Sequence, residues 1–302
     1  KIQARGAGEL EGGMMKIGNH DIGEGHPCWI TSEIGINHSG SLEIAKQLID
    51  AASLAGCQAV KFQKRTVDVV YSAEELAKPR ESPWGTTNGD QKRGLEFGES
   101  QYREIDAHCR EKKIIWYASP WDLDSVSFLE NFNIPVYKIA SACVTDLELI
   151  RRIGMTGKPV IMSTGMSTVK EIGRAVTLLE TFTDQIALLA CVSVYPARIE
   201  ELDLKRIWRL KTLWPHLEIG YSGHETGLWS TLCAVALGAT LIERHLTLDR
   251  SSYGSDQSAS LEPMAFGKLV TEIRDYELAL GEGVLGVSER EKPIWEKLRR
   301  VK

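Results

Sequence analysis

Residues 135–191 read PVYKIASACVTDLELIRRIGMTGKPVIMSTGMSTVKEIGRAVTLLETFTDQIALLAC, and three short apolar runs stand out: Pro135–Ile139, Pro159–Ser163 and Gln185–Cys191. Each run is too short for a helix and suits a buried strand. The stretches between them carry helical apolar spacing. Capping-box patterns open both, Thr145-x-x-Glu148 and Thr168-x-x-Glu171, and Gly157 closes the first. Strands separated by single helices read as parallel βα units.

The alternation continues on both sides. Upstream lie Cys28–Ile36, a helix from Leu42 capped by Ser41 and stopped by Gly56, then Ala59–Gln63. A polar stretch follows, Lys64–Gly98, rich in Pro, Gly and charge. A helix then runs from Glu99, with Tyr102, Ile105 and Cys109 on one face, and leads into Ile114–Ala118. Downstream come Leu217–Tyr221, a helix over Glu225–Leu237 stopped by Gly238, Thr240–Leu246, and a helix from Pro263 that fades near Gly281. Eight such units predict an α/β fold, a single-domain (β/α)8 TIM barrel over residues 14–302 with an insertion at 64–98. A doubly wound sheet fits less well, because no G-x-G-x-x-G follows the first run. Residues 1–13, polar and glycine-rich, read as a disordered or vector-derived tail rather than a secretory signal.

Composition narrows the function. The chain has 302 residues, 43% hydrophobic and 25% charged, with a formal charge of -5. That excludes disorder and makes non-specific binding of nucleic acid or anionic membrane unfavourable. No apolar run is long enough to span a bilayer. Six cysteines without CxxC spacing read as reduced thiols of a cytoplasmic protein.

Barrel chemistry sits at the C-terminal strand ends, where residues two apart share a face. Polar residues gather there on nearly every strand: Glu33, then Asn37 and His38; Lys61 and Gln63; Ser119; Lys138 and Ser141; Ser163 and Thr164; Ser193 and Tyr195; Ser222 and His224; Glu243 and His245. Singly, each has a plainer reading as a solvated lysine, a core histidine or a helix cap. Jointly they make a substrate site. Two buried lysines are costly without anions, so Lys61 and Lys138 beside serine hydroxyls point to a phosphate or carboxylate guest. His224 and His245, on adjacent strands, suit an exchangeable divalent ion, with Glu243 as its neighbour or as an acid/base group; a histidine–glutamate pair without metal is the alternative.

The ordered segments Ser32–His38, Val60–Gln63, Tyr137–Ser141, Met162–Ser167, Gly220–His224, Ile242–His245 and Leu248–Pro263 resemble the sialic acid synthase family. The resemblance implies a barrel enzyme, a homodimer, that condenses phosphoenolpyruvate with an N-acetylmannosamine-type sugar, using Mn²⁺ or a similar ion (Mg²⁺ or Co²⁺). It further implies His224 and His245 as metal ligands. Lys61, Ser119, Lys138, Ser141, Ser163, Ser193 and Ser222 would hold phosphoenolpyruvate; Gln63, Tyr195 and Asp256 would contact the sugar. Glu33 and Glu243 match the active-site carboxylates. The chain departs from the family pattern at Cys143, where many members carry glutamate, and at Ser193, where many carry asparagine. With the sequence ending at Lys302, the antifreeze-like domain of many members is expected to be absent. The insertion is therefore expected to close the sugar end, with Arg80 or Trp84 beside it. Competing readings are a synthase for another nonulosonate (KDN, legionaminate or pseudaminate), a 3-deoxy sugar-acid synthase, a Schiff-base aldolase using a strand lysine, and a non-catalytic sugar-binding barrel.

Overall fold

The computed structural model describes residues 14–301; the expected tail at 1–13 lies outside them. Its strands are β1 (Met15–Ile17), β2 (His20–Ile22), β3 (Trp29–Gly35), β4 (Ala59–Lys64), β5 (Pro79–Ser82), β6 (Gly85–Thr87), β7 (Ile115–Pro120), β8 (Tyr137–Ile139), β9 (Val160–Ser163), β10 (Ile186–Cys191), β11 (Glu218–Gly223) and β12 (Leu241–His245). The eight parallel strands β3, β4, β7, β8, β9, β10, β11 and β12 close in that order into one barrel, a TIM barrel. All eight sequence runs fall on these strands.

Helices sheath the barrel because their apolar faces demand it. In the helix Leu42–Ala55, Ala45, Leu48, Ile49 and Ala52 are buried, at spacings of three and four. Burying each large aliphatic chain contributes roughly 1.5–3 kcal/mol. Ser41 caps this helix by accepting from the Ile44 amide, and Gly56 ends it at φ 86°. The box at Thr168 and Glu171 forms as read, and the helix after Pro263 runs to Leu280.

Three local expectations are corrected. Thr145 does not cap its helix; Asp146 does, accepting from the Leu149 amide, because carboxylate and hydroxyl compete for one set of free N–H groups and the Asp lies nearer. That helix ends at Gly154, and Gly157 follows in the left-handed region at φ 68°. The helix expected from Glu225 begins only at Trp229. Glu225 is drawn inward by Arg244, a pull that helix propensity does not register.

The sequence reading passed over a hairpin. β1 and β2 pair antiparallel around Gly18-Asn19, with Gly18 at φ 58° as a tight primed turn requires. The Lys16 amide donates to Gln185, just before β10, while His20 packs edge-on against Trp29 at the start of β3. The hairpin therefore seals the N-terminal end of the barrel and leaves the C-terminal end open.

The insertion at 64–98 is not a bare loop. It holds short helices at Val67–Val70 and Ala73–Ala77, the β5–β6 hairpin, and a helix Asn88–Leu95 opened by a Thr87–Asp90 capping box. Trp84 lies so close to Gly94 that a Cβ there would come within 2.1 Å of its ring. Among the described residues no helix is long and apolar enough to cross a membrane, and all six cysteines are free thiols.

Candidate active site

Alternation along each strand sends one set of side chains into the barrel. Low in it, the Thr31 and Tyr117 hydroxyls meet at 2.9 Å, and the Trp29 indole donates to Thr31. One layer higher, the polar residues line an open cavity of about 290 Å³. Glu33, Lys61, Gln63, Ser119, Lys138, Ser141, Ser163, Ser193, Tyr195, Ser222, His224, Glu243 and His245 all line it. Asp256, an expected sugar contact, does not line it; its Oδ2 lies 3.8 Å from His245 Nδ1. Asn37 turns away as well, donating to the Leu246 carbonyl and to Ser260, so it ties the loop after β3 to the one after β12.

The floor is an ionic lattice. Lys61 Nζ lies 2.9 Å from Glu33 Oε2, 3.8 Å from Glu243 Oε2 and 3.1 Å from the Ser119 hydroxyl. Lys138 Nζ donates to Ser163 at 2.6 Å and lies 3.6 Å from Glu243 Oε1, which also accepts from Ser222. All four charged groups are almost fully shielded from water. The two lysines thus rest on protein carboxylates, and a guest anion would add to an existing network rather than supply its only counter-charge.

The carboxylates are driven apart. Burial pushes Glu33 up to about 7, with Lys61 opposing and the Glu243 charge adding to the rise. Burial also acts to raise Glu243, but Lys138 and then Lys61 outweigh it and hold the group below the usual carboxylate range. One acid raised toward neutrality beside one kept ionised is the separation that acid/base chemistry by two carboxyl groups requires.

The histidines face one another with ring centroids 5.5 Å apart, and the Tyr195 ring lies over His224 at 3.9 Å. His224 Nδ1 is 2.7 Å from the Val192 carbonyl, an arrangement that leaves Nε2 bare for a ligand. Buried His245 Nδ1 and Glu243 Oε2 have no hydrogen-bond partner. His224 Nε2 and the orphaned Glu243 oxygen, with the His245 ring facing His224, are groups that suit a divalent ion. Among the described residues no group of three or more His, Cys, Asp and Glu is arranged to hold a metal ion.

Both histidines are held from outside the barrel. Arg244, between Glu243 and His245 on β12, points into the helix layer and lies 3.0 Å from Glu225, the residue after His224. Tyr221, Ser230 and Thr231 also donate to Glu225, and Arg244 donates to the Gly227 carbonyl.

Some lining residues escaped the sequence reading: Trp121, Met166 and Cys191. Cys191 continues the period-two series with Ser193 and Tyr195, yet a thiol reads as apolar. Arg65 continues Lys61 and Gln63 in the same way; its guanidinium lies 4.3 Å over the Trp121 ring. Gly165 is required by crowding, since a Cβ there would meet Ser193 Oγ at 2.3 Å. Arg80 and Trp84 do not line the cavity. Instead Arg80 Nε donates to the Tyr253 hydroxyl at 3.2 Å and Trp84 packs edge-on against Tyr253, in the stretch after β12.

Residues 48–285 match the NeuB family model. Human N-acetylneuraminate-9-phosphate synthase is 38% identical over 262 residues, 86% of this chain and 73% of that protein. N,N'-diacetyllegionaminic acid synthase of Campylobacter jejuni is 35% identical, covering 87% of this chain and 80% of that one. The solved N-acetylneuraminic acid synthetase of Leptospira borgpetersenii, in complex with citrate, superposes with a TM-score of 0.82 at 31% identity, over 96% of this chain and 99% of that one. Fold, site and relatives together define a phosphoenolpyruvate-condensing synthase that forms a carbon–carbon bond. The chain belongs to the NeuB family.

Proposed function

We propose that this enzyme condenses phosphoenolpyruvate with the open-chain form of an N-acetylmannosamine-type hexose, giving a nine-carbon 2-keto acid of the N-acetylneuraminate type and phosphate. The observation that carries the reading is the lysine–carboxylate floor lying directly beside the facing histidines: an anion seat next to a place where an aldehyde can be activated. Lys61, Lys138 and the hydroxyls of Ser119, Ser141, Ser163, Ser193 and Ser222 hold the phosphate and carboxylate and fix the enol carbon toward the sugar. Gln63, Tyr195 and Asp256 serve the sugar side. Gln63 is itself anchored, since its amide donates to Glu33 at 2.8 Å.

A divalent ion held by His224 and His245, Mn²⁺ first among candidates, supplies Lewis-acid polarisation of the sugar aldehyde when bound. Attack by the enol carbon leaves positive charge on the adjacent carbon, which water captures; loss of phosphate then yields the keto acid. Glu33, poised near neutrality, is the group to take up and return the protons, while ionised Glu243 keeps both lysines charged. The reading also carries a cytoplasmic homodimer, checked by light scattering of the purified protein.

The test is phosphate release from phosphoenolpyruvate with Mn²⁺ and a panel of N-acetylmannosamine, its 6-phosphate, mannose and a diacetamido-dideoxy hexose. Release should need sugar and ion together, stop on chelation and return with Mn²⁺. A His224→Ala/His245→Ala protein should lose Mn²⁺ binding by calorimetry. Turnover that survives chelation, or a borohydride-trapped lysine adduct with pyruvate, sinks this mechanism.

A further inference from the structure

Gln63 meets the cavity with its backbone already fixed. It pairs with Ser119 across β4 and β7, and the Tyr102 hydroxyl donates to its carbonyl at 3.0 Å. What pairing leaves open is the side-chain amide, an acceptor at one tip and two donors at the other. The two tips are nearly the same size, so only the neighbours choose which way the amide faces. Glu33 Oε1 accepts from Gln63 Nε2 at 2.8 Å, and Arg65 donates through Nη2 to Gln63 Oε1. The backbone makes room for this contact. The β3–β4 register shifts between Glu33 and Gly35, and Gly35 sits at φ 52°. A Cβ there would come within 2.9 Å of Glu33 Oε1 and 3.1 Å of Gln63 Nε2.

Stability alone does not account for Arg65. Its charge is matched by Glu96, 3.4 Å from Nη1, which also accepts from the Arg65 amide and lies 3.1 Å from Lys64, so the two ends of the insertion are tied together. A lysine would satisfy that carboxylate. The guanidinium instead lies 4.3 Å over Trp121, a wall of the cavity, with its Nε buried and without a hydrogen-bond partner. A buried donor left unpaired is a cost. Against it stands one gain that a lysine does not offer: a second limb of a rigid planar fork, set on the Gln63 oxygen. Glu33 by itself is a poor guide for the amide, because a carboxyl group accepts when ionised and donates when protonated. A guanidinium only donates.

We propose that Arg65 is a positioning residue for the acceptor: by holding the Gln63 oxygen it keeps the amide N–H groups on the Glu33 side, one bonded to Glu33 and the other free for the sugar. This inference rests on the condensation proposed above, in which Gln63 serves the sugar, and deepens it. Arg65 does not line the cavity and acts only through Gln63, which does. The second N–H has no partner among the described residues. The site then favours an acceptor that offers an oxygen lone pair at this point and disfavours one that offers only a donor.

The experiment is a double-mutant cycle in the full chain, Arg65→Met, Gln63→Met and both together, assayed with phosphoenolpyruvate, Mn²⁺ and N-acetylmannosamine. Each single change should raise the KM for the sugar about tenfold, the scale of one lost polar contact, and leave the KM for phosphoenolpyruvate within about threefold. The double variant should be no worse than Gln63→Met, since Arg65 then has nothing to position. Losses that multiply, or an unchanged sugar KM in Arg65→Met, overturn the proposal. Two further variants separate positioning from folding. Arg65→Lys keeps the charge beside Glu96 and loses the second limb, so it should fold and carry the same raised KM; a native KM in it overturns the proposal. Glu96→Gln loosens the insertion but spares the limb on Gln63. It should lower Tm and leave the sugar KM alone, and a KM raised as in Arg65→Met would show that the effect runs through the insertion instead. A crystal structure of Arg65→Met reads the positioning without any sugar: the Gln63 amide should leave Glu33 while Lys61 stays beside it, and an unmoved amide overturns the proposal. That displacement, in an enzyme that releases no phosphate from phosphoenolpyruvate with any sugar, would refute the condensation and keep the hold of Arg65 on Gln63.

Discussion

At the scale of single residues, the two floor lysines are not equivalent. Lys61 is the close partner of Glu33 at 2.9 Å, whereas Lys138 stands 3.6 Å from Glu243 and leans on Ser163. Burial, followed in part by Lys61, lowers the Lys138 pKa, while Glu243 and Glu33 outweigh burial and raise that of Lys61. Lys138→Met takes away the main counter-charge of buried Glu243 and should raise the KM for phosphoenolpyruvate tenfold or more in a protein that still folds; a lower Tm with unchanged KM would make Lys138 structural. His38 gives a second residue-level expectation. Its Nδ1 accepts from the Gly40 amide, its ring stacks on Phe97 at 4.1 Å, and burial, with Arg65 adding, pushes its pKa down to about 3. Unfolded, the imidazole titrates near 6.5, so below that pH the unfolded chain binds a proton that the folded one refuses. This stability is fully present above about 6.5 and is lost as pH falls toward about 3, at up to ~1.4 kcal/mol per pH unit. Urea unfolding at pH 7 and pH 5 should show it, and His38→Asn should flatten the slope. Identical slopes for the two proteins would refute it.

Elements show what the sequence could reveal and what it could not. Runs of buried strand and the amphipathic helices between them were legible because hydrophobic period is a local property, and so was the candidate site, because alternation on a strand assigns a face. The hairpin β1–β2 escaped because its strands have three residues each, too few for a period, although Gly18-Asn19 was a readable turn. The late start of the helix at Trp229 was not readable at all, for it depends on Arg244, a residue 19 positions from Glu225. Two candidate histidines are thereby fixed by a buried ion pair joining the residue after one to the residue before the other. Arg244→Met should cost about 3–5 kcal/mol in urea unfolding, since it leaves Glu225 buried and uncompensated. Adding Glu225→Gln should recover part of that loss, and a full loss retained in the double variant would show that Arg244 acts through packing instead.

The whole molecule depends on closure. The seam joins β12 to β3, with the Trp29 amide donating to the Thr240 carbonyl and the Leu246 amide to the Glu33 carbonyl, each at 2.9 Å. Below it, fully buried Ile17 and Ile22 anchor the sealing hairpin. Ile17→Ala should cost about 2–5 kcal/mol, a stability loss with little change in turnover because the site lies at the other end; a drop in turnover at full stability would contradict that separation. The same seam sets a schedule for the nascent chain. The partners of the earliest segments are made late: Lys16 waits 169 residues for Gln185, and β3 waits for β12. Contacts so distant along the chain carry a loop-closure cost before they return anything. On the ribosome, then, the apolar ribbon Trp29–Gly35 has one edge unpaired through most of translation, and the seam can zip only after His245 has left the exit tunnel. Chains stalled with residue 240 just outside the tunnel should be cut readily by protease, and chains stalled some forty residues later should resist.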